Sequence, residues 1–283
     1  MNDNKDFFID VEKVIRSKNG NRKPAALFVN ILKRIVHQDE INDILSKWEG
    51  GDSIKFTEYI LNYLDIETEV FGLENIPKEG KFVFASNHPL GGVDGMALGL
   101  RLGRHYNGNV RLLVNDLLMF MKPLNDIFVP LNKMGGQNRD ATGNVNNAYL
   151  SDNQLIVFPA GACSRRIKGK IQDLEWKKNF LTKAVEFQRD IIPVYFEGKN
   201  SNFFYCLANF RKLIGIKFNI ELLFLPDEMF KQRNKKLKIF IGKPISWQIF
   251  DKSKTPRQWS QEVRETVYQL SENIKQATYE ANY

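Results

Sequence analysis

His88 and Asp94 lie in the segment Ser86-Asn87-His88-Pro89-Leu90-Gly91-Gly92-Val93-Asp94-Gly95. Their types and spacing suit proton transfer. An imidazole exchanges a proton near neutral pH, which makes it the usual general base for a weak nucleophile. A carboxylate beside it fixes the tautomer and stabilises the imidazolium that forms. The block follows an apolar run, Lys81 to Ala85, that reads as a strand, and precedes Met96 to Leu102, which reads as the start of a helix. The pair therefore occupies a strand-to-helix turn, where Gly91 and Gly92 let the backbone reverse tightly. Of the three histidines in the chain, His88 is the one in this setting. Asp94 also suits a cap on the following helix, a role compatible with the first.

A second block extends the pattern. Leu155-Ile156-Val157-Phe158-Pro159 reads as a buried strand running into Ala160-Gly161-Ala162-Cys163-Ser164-Arg165-Arg166. An apolar strand, a Pro-x-Gly turn and paired arginines suit an anion held at a strand end. Arg139, after Gly135-Gly136, and Arg165 are read as phosphate or carboxylate contacts, because guanidinium offers a planar fork of donors. Lys168 and Lys170 read as solvated charges. Cys163 reads as a small packing residue in preference to an acyl-carrying nucleophile. Backbone amides near Gly161 or Gly91 are candidates to hold an oxyanion.

In this order the blocks NHPLGGVD, GGQNRD, FPAGACSRR and IIPVYFEG resemble those of the glycerolipid acyltransferase family, whose members acylate glycerol phosphate and lysophosphatidic acid. The resemblance runs from about Val70 to Ile245. It is strongest to the divergent, hemolysin-like branch that acylates lyso-forms of aminoacyl lipids such as ornithine or glycine lipids. Five residues separate His88 from Asp94 where the family has four, and Ala160, Ala162 and Cys163 replace the family's Glu, Thr and Arg. The displaced arginine is matched two places later by Arg165. The resemblance implies a fatty acyl transfer from acyl-CoA or acyl-carrier protein to a lyso-lipid hydroxyl. His88 and Asp94 would be catalytic, and Asn87, Arg139, Gly161, Ser164 and Arg165 would contact substrate. It implies no metal and no cofactor beyond the thioester co-substrate.

Composition limits the alternatives. At 283 residues the chain can bury a full core. A net charge of +8 favours anionic partners, here an anionic membrane surface. Nucleic acid is not expected, since the aromatics fall at core spacing and no recognition motif is present. No dinucleotide fingerprint or His/Cys cluster with metal spacing occurs. Two cysteines make no disulfide framework, which suggests a reducing compartment. The N-terminal residues lack a signal peptide's apolar run, and no segment approaches a membrane span. The expectation is a cytoplasmic protein, peripheral on the cytoplasmic face of the membrane.

Helical periodicity dominates residues 1–65, including a stripe of Leu27/Phe28, Ile31/Leu32 and Ile35/Val36 with Lys33 and Arg34 on or beside the other face. From residue 66 to 283 strands alternate with helices, which predicts an α/β fold with a largely parallel mixed sheet flanked by helices. The expected strands are Thr68–Leu73, Phe82–Ala85, Arg111–Val114, Ile127–Leu131, Leu155–Phe158, Ile191–Phe196, Ile220–Leu225 and Leu237–Ile241, before a closing helix from Pro256 to Thr278. Two other functions remain open at this point: a catalytically degenerate lipid-binding protein, and a thioester or lipid hydrolase using the same His-Asp pair.

Overall fold

The computed structural model describes residues 8–18, 20, 22–115, 118–119, 121–131 and 139–281. The side chains of 17–18, 139–142, 271 and 273–281 lie outside that description. Four helices come first: α1 (Val11–Lys18), α2 (Ala26–Ile35), α3 (Gln38–Ser46) and α4 (Ser53–Tyr63). The Asp52 carboxylate accepts the Lys55 N–H and so caps α4. Then follow β1 (Glu67–Phe71), β2 (Phe82–Ser86), α5 (Val93–His105), β3 (Val110–Asn115), β4 (Phe128–Leu131), α6 (Arg139–Leu150) and β5 (Gln154–Val157). After a hairpin of β6 (Arg165–Ile167) and β7 (Lys170–Gln172) come α7 (Asn179–Glu186), β8 (Asp190–Glu197), α8 (Asn202–Leu213), α9 (Leu225–Phe230), β9 (Lys236–Ile241) and α10 (Pro256–Ala281).

Seven strands form one sheet in the order β1-β9-β8-β2-β5-β3-β4. Every neighbouring pair is parallel except β8 and β9. The α/β architecture with a largely parallel sheet is therefore as the sequence predicts. The two faces of β2 show why its run is apolar throughout. Phe82 and Phe84 pack with α4 and α5 on one side, and Val83 and Ala85 with α7 and α10 on the other. A strand covered on both faces has no polar phase. The N-terminal helices share that core, since Ile44, Leu45, Phe56 and Leu64 join one apolar cluster with Phe84, Ile156 and Ile192.

Two segments differ from expectation. Ile220–Leu225 is not a strand: a 3-10 turn over Ile220–Phe224 leads into α9. Pro226 at the start of α9 lacks the N–H that a strand ladder would need, and Glu221 is fully buried in an ion pair. The basic loop after Ser164 is an antiparallel hairpin, turned at Lys168 (φ 48°) and Gly169 (φ 80°). Two consecutive left-handed residues are what a tight hairpin turn demands.

Candidate active site

Strands β2 and β5 are parallel neighbours, with Val83 beside Leu155 and Ala85 beside Val157. Their carboxyl ends therefore release their loops side by side, at the sheet edge where α/β folds place ligand crevices. This brings together blocks about 70 residues apart in the chain. The Ser164 N–H donates to the His88 carbonyl at 2.7 Å.

His88 Nδ1 lies 2.9 Å from Asp94 Oδ2. The pair closes across five intervening residues because the turn wraps the carboxylate. The amides of Leu90 (3.0 Å) and Gly91 (3.4 Å) also donate to Oδ2, and the Gly95 amide donates to Oδ1 at 2.9 Å. Gly91 sits at φ 78°, a conformation that favours glycine, and a Cβ there would lie 2.7 Å from Leu225 Cδ2, which would have to shift. Asp94 is the second residue of α5, where a negative charge meets the helix dipole, and its carboxylate is fully buried.

Burial would raise the Asp94 carboxyl. The charge and hydrogen bond of His88, with the Leu90 and Gly95 amides, outweigh it and hold the group below the usual carboxylate range. An ionised Asp94 can only accept, so in the neutral form of the His88 ring the proton belongs on Nδ1 and Nε2 presents a lone pair. The ring is fixed a second time by Phe158, stacked at 4.0 Å between centroids and 24° between planes. The imidazole keeps 18% of its side-chain surface exposed, which leaves it accessible to a reactant.

The remaining residues singled out from sequence are placed as follows. Asn87 is buried, and its side chain substitutes for a strand neighbour: Nδ2 donates to the Phe196 carbonyl at 2.9 Å, and Oδ1 accepts the Phe196 N–H at 2.6 Å. Its amide is thus engaged by β8, and it anchors the start of the His88 turn. The Ser164 hydroxyl is also buried and donates to Asp173 Oδ1 at 2.6 Å. Gly161 adopts φ 67°, and its N–H closes a turn onto the Phe158 carbonyl at 2.9 Å. Arg165, expected to clamp an anionic head group, instead grips the protein. Its guanidinium donates to the Cys163 carbonyl (2.6 Å) and to Glu221 (2.9 Å). Arg211 approaches the same carboxylate at 2.8 Å from the other side. Arg139 opens α6, but its side chain and Gly135-Gly136 lie outside the described residues.

Asp173 is a site residue that the sequence does not reveal. Oδ1 accepts the His88 backbone N–H at 3.2 Å as well as the Ser164 hydroxyl, and Oδ2 accepts the Trp176 indole N–H at 2.9 Å. The carboxyl therefore ties the His88 turn and the Ser164 loop to the start of the α7 region. Burial pushes it above the usual range, partly offset by the Ser164, Trp176 and His88 donors. An Asp between a short hairpin and a helix reads locally as a surface turn, and no periodicity marks it.

Cys163 is buried, and burial pushes its thiol up to about 11 despite the neighbouring Arg165 charge. A thiol so placed is poorly ionised at neutral pH and is a poor nucleophile. Native treatment with iodoacetamide is expected to modify exposed Cys206 and spare Cys163, as read by peptide mass mapping. Labelling of Cys163 at a rate similar to Cys206 would contradict a packing role.

Comparison with known proteins places the chain. The acyltransferase family model matches residues 15–277. A lyso-glycine lipid O-acyltransferase of Phocaeicola vulgatus is 53% identical over 272 residues, covering 95% of this chain and 98% of that protein. A protein of the same name from Bacteroides thetaiotaomicron is 52% identical over 272 residues, covering 95% and 100% respectively. The crystal structure of the 1-acyl-sn-glycerophosphate (LPA) acyltransferase PlsC from Thermotoga maritima aligns over 87% of this chain and 92% of its own, at 21% identity and a TM-score of 0.42. With nearly its whole length matched by the family model and by relatives at about half identity, the chain belongs to the acyltransferase family.

Proposed function

We propose that this protein transfers a fatty acyl group from an acyl thioester, acyl-CoA or acyl-carrier protein, to the free hydroxyl of a lyso-glycine lipid. The observation that carries the reading is the buried, ionised Asp94 holding His88 with Nε2 presented at the carboxyl edge of the parallel sheet. The two relatives named as lyso-glycine lipid O-acyltransferases supply the acceptor class.

The reaction follows from that geometry. A hydroxyl is a weak nucleophile, so its proton passes to His88 Nε2 as its oxygen attacks the thioester carbonyl carbon. Asp94 stabilises the imidazolium. The tetrahedral oxyanion collapses, the C–S bond breaks, and His88 returns the proton to the leaving thiolate. The products are the diacylated lipid and a free carrier thiol. Asn87, Ser164 and Asp173 act by holding the backbone of the two loops. The chemistry requires no group beyond the thioester.

Among the described residues no helix is long and apolar enough to cross a membrane. In this reading the lipid acceptor is met at the bilayer surface, on the cytoplasmic face, where the net charge of +8 favours anionic lipid. The exposed side of α2, with Leu27, Phe28 and Ile31 near Lys33 and Arg34, is one surface suited to it.

Incubation of the purified protein with an acyl thioester and lyso-glycine lipid is the direct test. Mass spectrometry should show the diacylated lipid appearing in step with released thiol. Thiol release without any ester product would replace the reading with thioester hydrolysis.

A further inference from the structure

We propose that the outer face of α8 and the loop after it is the surface on which this protein docks to an anionic bilayer. The proposal rests on the lipid-acyltransferase reading for its choice of partner. Its physical basis is a helix that is apolar on two sides.

The inner side of α8 needs no further explanation, because Phe204, Tyr205 and Ala208 are buried. The outer side should then be polar. Instead Phe203, Phe210, Leu213 and Ile214 follow one another at helical spacing on it, and Ile216 and Phe218 continue the run beyond the helix end, all of them exposed. Leu213 is 83% exposed and Phe218 64%. A contiguous set of large exposed apolar side chains marks an interaction surface.

Charge selects the partner. Residues 198–220 contain no Asp or Glu and four basic residues: Lys199, Arg211, Lys212 and Lys217. Arg211 is paired with Glu221, whereas Lys199, Lys212 and Lys217 are exposed in the same segment. Exposed apolar side chains in a short segment that carries lysines and no acid suit insertion at the boundary between acyl chains and anionic head groups. A second copy of the chain fits less well. A two-fold interface would set the same lysines against one another with no acidic residue in the segment to pair with them.

The face is mechanically joined to the active site. The 3-10 turn after the loop carries Glu221, which Arg165 grips from the catalytic loop and Arg211 from α8. Leu225 packs against Gly91 in the catalytic turn, and Leu222 and Leu225 pack with Cys163 and Phe204. Docking through the outer face of α8 therefore holds the His88 turn against the inner side of the docked helix, one packing layer from the lipid surface.

The test compares the full chain with Leu213→Ser/Phe218→Ser, both at exposed positions whose replacement leaves the core intact. Vesicles of phosphatidylglycerol and phosphatidylcholine serve as the probe in co-sedimentation. The double variant is expected to lose at least ~30-fold in vesicle partition, because two large side chains no longer leave water. Acyl transfer to acceptor embedded in those vesicles should fall with it, whereas transfer to acceptor dispersed in detergent should hold. Unchanged vesicle binding by this variant, or loss only in Leu27→Ser/Phe28→Ser, would overturn the assignment. So would a wild-type dimer in gel filtration that the α8 variant converts to monomer, since a second copy would then cover the face. Vesicle binding lost in the variant, alongside a wild type that acylates no dispersed acceptor, would uphold the docking face and remove the acyltransfer reading instead.

Discussion

Replacing His88 with alanine is expected to reduce acyl transfer by at least ~10²–10⁴-fold, the range that a positioned general base supplies. Neither of the other two histidines is placed to take over. Among the described residues His37 lies at the α2–α3 turn, bonded to Glu40 and Asp227, and His105 ends α5. The loss should appear in kcat as well as kcat/KM, because proton transfer belongs to the transition state and not to binding. The fold should survive: the imidazole touches Asp94 and Phe158 only at one open edge of the sheet, and the His88 backbone amide still reaches Asp173. Asp94 would keep the Leu90, Gly91 and Gly95 amides as partners. Far-ultraviolet circular dichroism and a thermal melt establish folding, and a thioester assay with lyso-lipid acceptor reads turnover. Near-normal turnover by a folded His88→Ala protein would remove the proposed mechanism.

What the sequence made legible follows from how local the constraints are. Buried parallel strands such as β2 and β5 have to be apolar on both faces, so they stand out as continuous runs bounded by turn residues. The His88 turn was legible because it keeps its chemistry and its Gly91 in one short stretch. The run Ile220–Leu225 misleads for the opposite reason. A short apolar segment has no clear period, and what decides its conformation is distant: Arg165, 56 positions earlier in the chain, bonded to Glu221. The β6–β7 hairpin escapes notice because each strand is three residues long and basic. Asp173 was invisible for a related reason, since its partners His88, Ser164 and Tyr268 are assembled only by the sheet order. His88, Asp94, Asn87 and Ser164 lie inside the two recognisable blocks and are legible there, whereas Asp173 and Glu221 lie outside them and are not.

Glu221→Ala should cost about 3–5 kcal/mol of stability, the largest expected effect outside the His88–Asp94 pair. The carboxylate is fully buried, and the side chains of Arg165 and Arg211 retain 10% and 14% of their surface. Removing the acid strands two guanidinium groups against each other, largely out of water, with no counter-charge. Burying a charge pair gains little net stability, but breaking one that is already buried exposes the full desolvation cost of what remains. The distinction is testable with a second variant. Changing Arg165, Glu221 and Arg211 together to Met, Leu and Met removes every charge while keeping apolar volume, and should recover most of the lost stability. Chemical denaturation followed by circular dichroism reads both, with a loss under about 1 kcal/mol for Glu221→Ala meaning that water already reaches the pair. Activity should separate the variants again. Arg165 holds the catalytic loop to the 3-10 turn and α8, so the single variant is expected to loosen the path from the lipid surface to His88, and the triple variant to restore it only as far as apolar packing can set the same geometry.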